Sequence, residues 1–120
     1  MATSEAPAVR RRDGVAVIDL SGDVNARLES ALDAAWAEAL ADGPGAVVLN
    51  FAEAGYINST GIALIVGLLA RGRAAGVEMR AYGLTPHYRE IFEITRLADF
   101  LAITNDEDSA VRGAEGSRDA

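Results

Sequence analysis

The sequence predicts one α/β domain, a mixed β-sheet of four or five strands carrying about four α-helices. Three observations lead there. Short β-branched runs of strand length alternate with stretches in which apolar residues recur every three or four positions. Turn and cap residues stand at nearly every change of period. The 120 residues are enough to bury one core and too few for a second.

Taken in order, residues 1–8 are rich in Ala, Ser and Pro and read as a flexible arm. Residues 9–12 and 15–20 flank Asp13-Gly14 and read as a hairpin, because Asp-Gly accepts the positive φ of a tight turn. Ser21-Gly22-Asp23 closes the second strand. From Ala26 the period changes: Leu28, Leu32, Ala35, Trp36, Ala39 and Leu40 line one helical face, with Asn25 as cap, Trp36 in the core and Gly43-Pro44-Gly45 as the stop. Residues 46–51 form a continuous apolar run, the mark of a strand covered on both faces. A loop over 52–58 leads into a helix that is apolar nearly all round through residue 70 and closes with Arg71, Arg73 and Gly76, which reads as a buried core helix. Residues 77–82 read as a strand. Thr85-Pro86 opens a third helix, with Thr as cap and Pro at its first position and with Ile91, Phe92 and Thr95 facing inward. Residues 97–103 return to the core as a short edge strand, and a weak helix starts near Asn105 with Asp106-Glu107-Asp108 as its solvated first turn.

The inventory excludes much chemistry. All basic residues are arginine, so no lysine is present for a P-loop or a Schiff base. There is no cysteine and one histidine, His87, which reads as a surface or capping residue without a metal partner, so no Cys/His metal site is expected. With 11 basic and 18 acidic residues the net charge is −7, which disfavours nucleic acid, and the single basic run, Arg10-Arg11-Arg12, is followed at once by Asp13. No stretch is long and apolar enough to insert in a membrane, and the N-terminus lacks a signal-peptide pattern, so the cytoplasm is expected.

Asn58-Ser59-Thr60-Gly61 is the candidate site. Ser59 reads as an N-cap whose hydroxyl accepts a backbone N–H, worth about 1 kcal/mol. The same place suits a phosphate on that hydroxyl, because a helix start presents open N–H groups and a partial positive charge.

Around this motif the chain resembles the STAS domain family and, within it, the bacterial anti-sigma factor antagonists. The resemblance is carried by Leu20-Ser21-Gly22-Asp23, Val47-Val48-Leu49-Asn50-Phe51 and Tyr56-Ile57-Asn58-Ser59-Thr60-Gly61-Ile62-Ala63-Leu64, then by Gly76, Thr85-Pro86, Ile91-Phe92 and Leu97. It implies a STAS domain over residues 9–110, with 111–120 as a flexible polar tail. It also implies a binding module with no catalytic residue, no cofactor and no metal. Ser59 would be the phosphoacceptor, with Asn58, Thr60, Gly61, Asp23 and Asn25 forming the phosphorylation loop and partner-binding surface. The implied partners are an anti-sigma factor that is also a serine kinase, and a metal-dependent serine phosphatase. The alternative within the family is an unphosphorylated STAS scaffold, a subunit of a signalling assembly or of a lipid-type ABC transporter. Asn58 and Asn25 stand where the family commonly carries acidic residues.

Overall fold

The computed structural model describes residues 6–113. Five strands, β1 (Ala8–Arg12), β2 (Val15–Val24), β3 (Ala46–Ile57), β4 (Glu78–Tyr82) and β5 (Ala102–Thr104), form one sheet in the order β1-β2-β3-β4-β5. The β1–β2 hairpin is antiparallel and the other pairings are parallel. Four helices join them: α1 (Glu29–Leu40), α2 (Ser59–Ala75), α3 (Pro86–Ile94) and α4 (Glu107–Arg112).

Strand alternation splits the core in two. Ala16, Ile18 and Leu20 of β2 with Val47, Leu49 and Phe51 of β3 face α1, α2 and α3, which contribute Leu32 and Trp36, Ile65 and Leu68, and Phe92. Phe51 and Phe92 meet edge to face at 5.9 Å. Val15, Val17, Ala46 and Val48 face the other way, under Ala110 and Val111 of α4 and beside Tyr82.

Several expectations change. The segment expected as a loop over 52–58 is mostly strand, because β2 and β3 keep pairing through Ser21–Glu53, Gly22–Ala54 and Val24–Ile57. β4 pairs only with Ala46 to Asn50, so the far ends of β2 and β3 run on as a two-stranded ribbon. The first helix starts as a 3-10 turn, Ala26–Leu28, before α1. The edge strand expected over 97–103 divides into a 3-10 turn, Leu97–Asp99, and β5. Thr95 does not face inward: it is exposed, and its hydroxyl donates to the Ile91 carbonyl at the end of α3. α4 continues to Arg112 with Val111 buried, so the expected tail from residue 111 begins inside the fold. Residues 1–5 of the expected arm and 114–120 of that tail lie outside the described residues, and Ala8 already belongs to β1.

α2 is the largest departure from the buried core helix. Only Gly61, Ile65, Leu68, Leu69 and Gly72 are buried, while Ala63, Val66 and Ala70 are exposed on the opposite face. The helix is apolar nearly all round through Ala70, yet it forms the outer layer.

The first turn of α4 is not a solvated acidic run either. Asp106 caps it, accepting the Ser109 N–H at 2.8 Å, but Glu107 reaches the sheet. It accepts from Arg10 at 2.9 and 3.0 Å, from Arg12 at 2.8 Å and from the Tyr82 hydroxyl at 2.7 Å. Arg10 also binds Asp19 at 2.6 Å, and Arg11 spans to the Glu38 and Ala39 carbonyls and Asp42. The arginine run is thus spent inside the fold and is not an open basic patch.

The arginine hydrogen bonds hold the Glu107 carboxyl well below the usual range, and burial followed by the bond to Glu107 pushes the Tyr82 hydroxyl up to about 12. A carboxylate with a depressed folded-state pKa stabilises the protein above its unfolded pKa, near 4.3, and that contribution is lost as pH falls through the folded value. Glu107→Gln should therefore lower stability at pH 7 by about 1–2 kcal/mol. The gap from wild type, followed as Tm against pH, should start to narrow below about pH 4 and keep narrowing as the pH falls further. A gap that stays constant with pH would show that packing and not charge accounts for it.

Candidate functional site

The site sits where the β2–β3 ribbon ends and α2 begins. Val24, the last residue of β2, accepts the Asn58 N–H at 3.3 Å through its carbonyl. Asp23 turns its carboxylate across the ribbon to accept the Tyr56 N–H at 2.9 Å, and the Tyr88 hydroxyl of α3 accepts the Ile57 N–H at 2.9 Å. Three contacts from two elements, β2 and α3, therefore hold the backbone just before the candidate serine.

The cap belongs to Asn58 and not, as expected, to Ser59. Asn58 is extended, its Oδ1 accepts the Gly61 N–H at 2.8 Å and its carbonyl accepts the Ile62 N–H at 2.9 Å. Ser59 is the first residue of the helix and is exposed, as is Thr60. Its hydroxyl is not used to close the helix end. Asn58 serves two of the first-turn N–H groups, which leaves those of Ser59 and Thr60 to solvent or a ligand, and no acidic residue occupies that turn.

The other residues of the site divide by role. Gly61 is buried, and a Cβ there would fall on the Val24 carbonyl oxygen, so it offers no surface and instead lets α2 approach the end of β2. Asn25 is half-buried and caps the next turn, its Oδ1 accepting the Arg27 N–H at 3.0 Å. Asp23 is exposed, and Gly55 opposite leaves room for its carboxylate: a Cβ on Gly55 would lie 2.5 Å from Asp23 Oδ1. Asp23 lies at the end of β2 and Asn25 opens the 3-10 turn before α1, beside the strand end from which α2 departs. Tyr88 is the contributor that sequence reading missed; its place one turn after the Thr85-Pro86 start was the available signal.

His87 is exposed, next to Tyr88 with ring centroids 5.0 Å apart. Among the described residues, no group of three or more His, Cys, Asp or Glu side chains is placed to hold a metal ion, and no helix is long and apolar enough to cross a membrane.

Comparison with known proteins agrees with this architecture. The family model of the STAS domain matches residues 6–110. A Bordetella bronchiseptica protein, BtrV, which carries the name of an anti-sigma factor antagonist, is 30% identical over 98 residues, covering 82% of this chain and 84% of its own. Among solved structures, an anti-sigma factor antagonist from Mycobacterium paratuberculosis shares the fold with a TM-score of 0.72 at 24% identity, over 88% of this chain and 89% of that one. The Bacillus cell fate determinant SpoIIAA in its phosphorylated form shares it with a TM-score of 0.67 at 19% identity, over 89% of this chain and 98% of that one. The chain belongs to the STAS domain family and, within it, groups with the anti-sigma factor antagonists.

Proposed function

We propose that this protein is an anti-sigma factor antagonist whose capture of its partner is switched by phosphorylation of Ser59. The unphosphorylated form binds an anti-sigma factor that is also a serine kinase, and a sigma factor is released. The kinase transfers the γ-phosphoryl group of ATP to Ser59 Oγ, the hydroxyl proton leaves, and a metal-dependent phosphatase later hydrolyses the ester. The chain supplies the acceptor and the binding face, and its partners supply the catalysis. We place its action in the cytoplasm.

The observation that supports this reading most is the placement of Ser59. It is exposed at the first position of α2, free of the capping duty that Asn58 performs, in a turn with no acidic residue. A phosphate adds about −1.5 to −2 charges there, which the helix end stabilises and which a desolvated protein contact opposes. Incubation with the kinase and ATP should add one phosphate to the wild type and none to Ser59→Ala, read by intact mass. Phosphate on Ser59→Ala, or none on the wild type, overturns the reading.

Asn58 tunes the same site. An Asp at 58 could still accept the Gly61 N–H, and its charge at the helix start should raise stability by about 0.3–1 kcal/mol. The same charge repels a phosphate on the neighbouring residue by about 1 kcal/mol in a partly screened site, and an ionised Asp cannot donate to it as the Asn amide can. Asn58→Asp should therefore raise Tm slightly and lower the phosphorylated fraction at equilibrium with kinase, ATP and ADP. An unchanged or higher fraction would reduce Asn58 to a cap.

A further inference from the structure

The exposed face of α2 is continuous with the phosphorylation site. Ser59, Ala63, Val66, Ala70 and Arg73 follow at i, i+4, i+7, i+11 and i+14, one stripe of the helix, and all five are exposed. The stripe ends in a groove of about 310 Å³ between α2 and the 97–100 segment, lined by Val66, Leu69, Ala70, Arg73, Leu97 and Phe100. Val66 and Phe100 are 44% and 54% exposed and share this one groove, whereas Tyr56 and Ile94, the other large exposed apolar side chains among the described residues, do not line it. Arg73 lies over the Phe100 ring at 5.8 Å and has no ion-pair partner among the described residues.

We infer that the anti-sigma factor kinase that acts on Ser59 docks along this stripe and seats an apolar side chain, with an acidic residue beside it, in the groove at its far end. This rests on the function proposed above. A stable contact covers roughly 800 Å² on each partner, more than the turn around Ser59 offers, so a kinase over that turn must extend onto neighbouring surface. The stripe adjoins the turn on the same helix and is apolar. The groove has the volume of one or two bulky apolar side chains, and the Arg73 guanidinium at its rim selects a carboxylate. The 14 residues from Ser59 to Arg73 rise about 21 Å, beyond the screening length of roughly 8–10 Å, so the groove contact holds independently of the phosphate.

The probe is the purified kinase that phosphorylates Ser59 in the mass experiment. Phe100→Ala and Val66→Glu should each raise its KM for this protein about tenfold with kcat unchanged. Ala34→Glu, at an exposed position of α1, should leave both alone. In equilibrium binding, the loss from Phe100→Ala should add to that from Ser59→Asp, as expected for separated sites. Far-UV circular dichroism and Tm confirm that the variants are folded. Unchanged KM in folded Phe100→Ala and Val66→Glu, with the wild type still phosphorylated, overturns the docking site and leaves the phosphorylation reading intact. So does a change confined to self-association in sedimentation, which would make the occupant a second copy of this chain. Failure of the kinase to phosphorylate the wild type removes the parent reading, and this inference with it.

Discussion

Ser59→Asp will weaken binding of the anti-sigma factor about tenfold or more, whereas Ser59→Ala will bind like the wild type. Both changes fall on an exposed residue whose side chain does not close the helix. Their cost to stability should stay within about 0.5 kcal/mol, below the roughly 1 kcal/mol expected had Ser59 been the cap. That cost belongs to Asn58→Ala. What separates Ser59→Asp from Ser59→Ala is therefore charge at the interface. A like charge or an unpaired charge set against a desolvated partner surface costs several kcal/mol, and one decade of affinity is about 1.4 kcal/mol. Isothermal titration with the same partner reads both variants. Equal affinities would show that charge at the start of α2 does not govern the contact.

Gly61→Ala will destabilise the protein by about 1–3 kcal/mol and blunt phosphorylation of Ser59. The added Cβ would meet the Val24 carbonyl oxygen, and its next neighbours are the Val24 carbonyl carbon and Cγ1. Most of that contact is backbone, which cannot swing away as a side chain would. Moving α2 outward would stretch the Asn58 bond to Val24 and shift the turn that carries Ser59. Gly67 of the same helix is the internal control, because a Cβ there meets nothing within 4 Å. Gly67→Ala should stabilise by about 0.5–1 kcal/mol through helix propensity alone. Thermal unfolding of the pair separates packing from propensity. A Gly61→Ala protein as stable as Gly67→Ala would contradict the close approach of α2 to β2.

The elements that follow local rules were readable from the chain. The Asp13-Gly14 hairpin, the Thr85-Pro86 start of α3 and the Gly76 stop of α2 each rest on one or two residues whose backbone preference decides the outcome. Ser59 at the start of the second long helix belongs to the same class. Its neighbour was harder, since Asn and Ser are both good caps and only the extended backbone at Asn58 assigns the bond. The continuation of β3 past Phe51 carries no apolar alternation and exists because β2 offers its edge. The apolar sequence of α2 cannot say which face is covered, because coverage is a property of the neighbours. Glu107 meets Arg10 across 97 positions of sequence, and Gly61 meets Val24 across an element boundary. Contacts of that range are set by topology and carry no local signal.

The central claim is that one phosphate on Ser59 switches the protein between binding and release. It is tested most directly by preparing the protein fully phosphorylated on Ser59 and comparing its Kd for the anti-sigma factor with that of the unmodified chain, in one buffer at physiological salt. The account predicts tight binding by the unmodified protein and a loss of about tenfold or more on phosphorylation, restored when a phosphatase removes the group. Equal Kd values for the two forms, or tighter binding by the phosphorylated one, would contradict it.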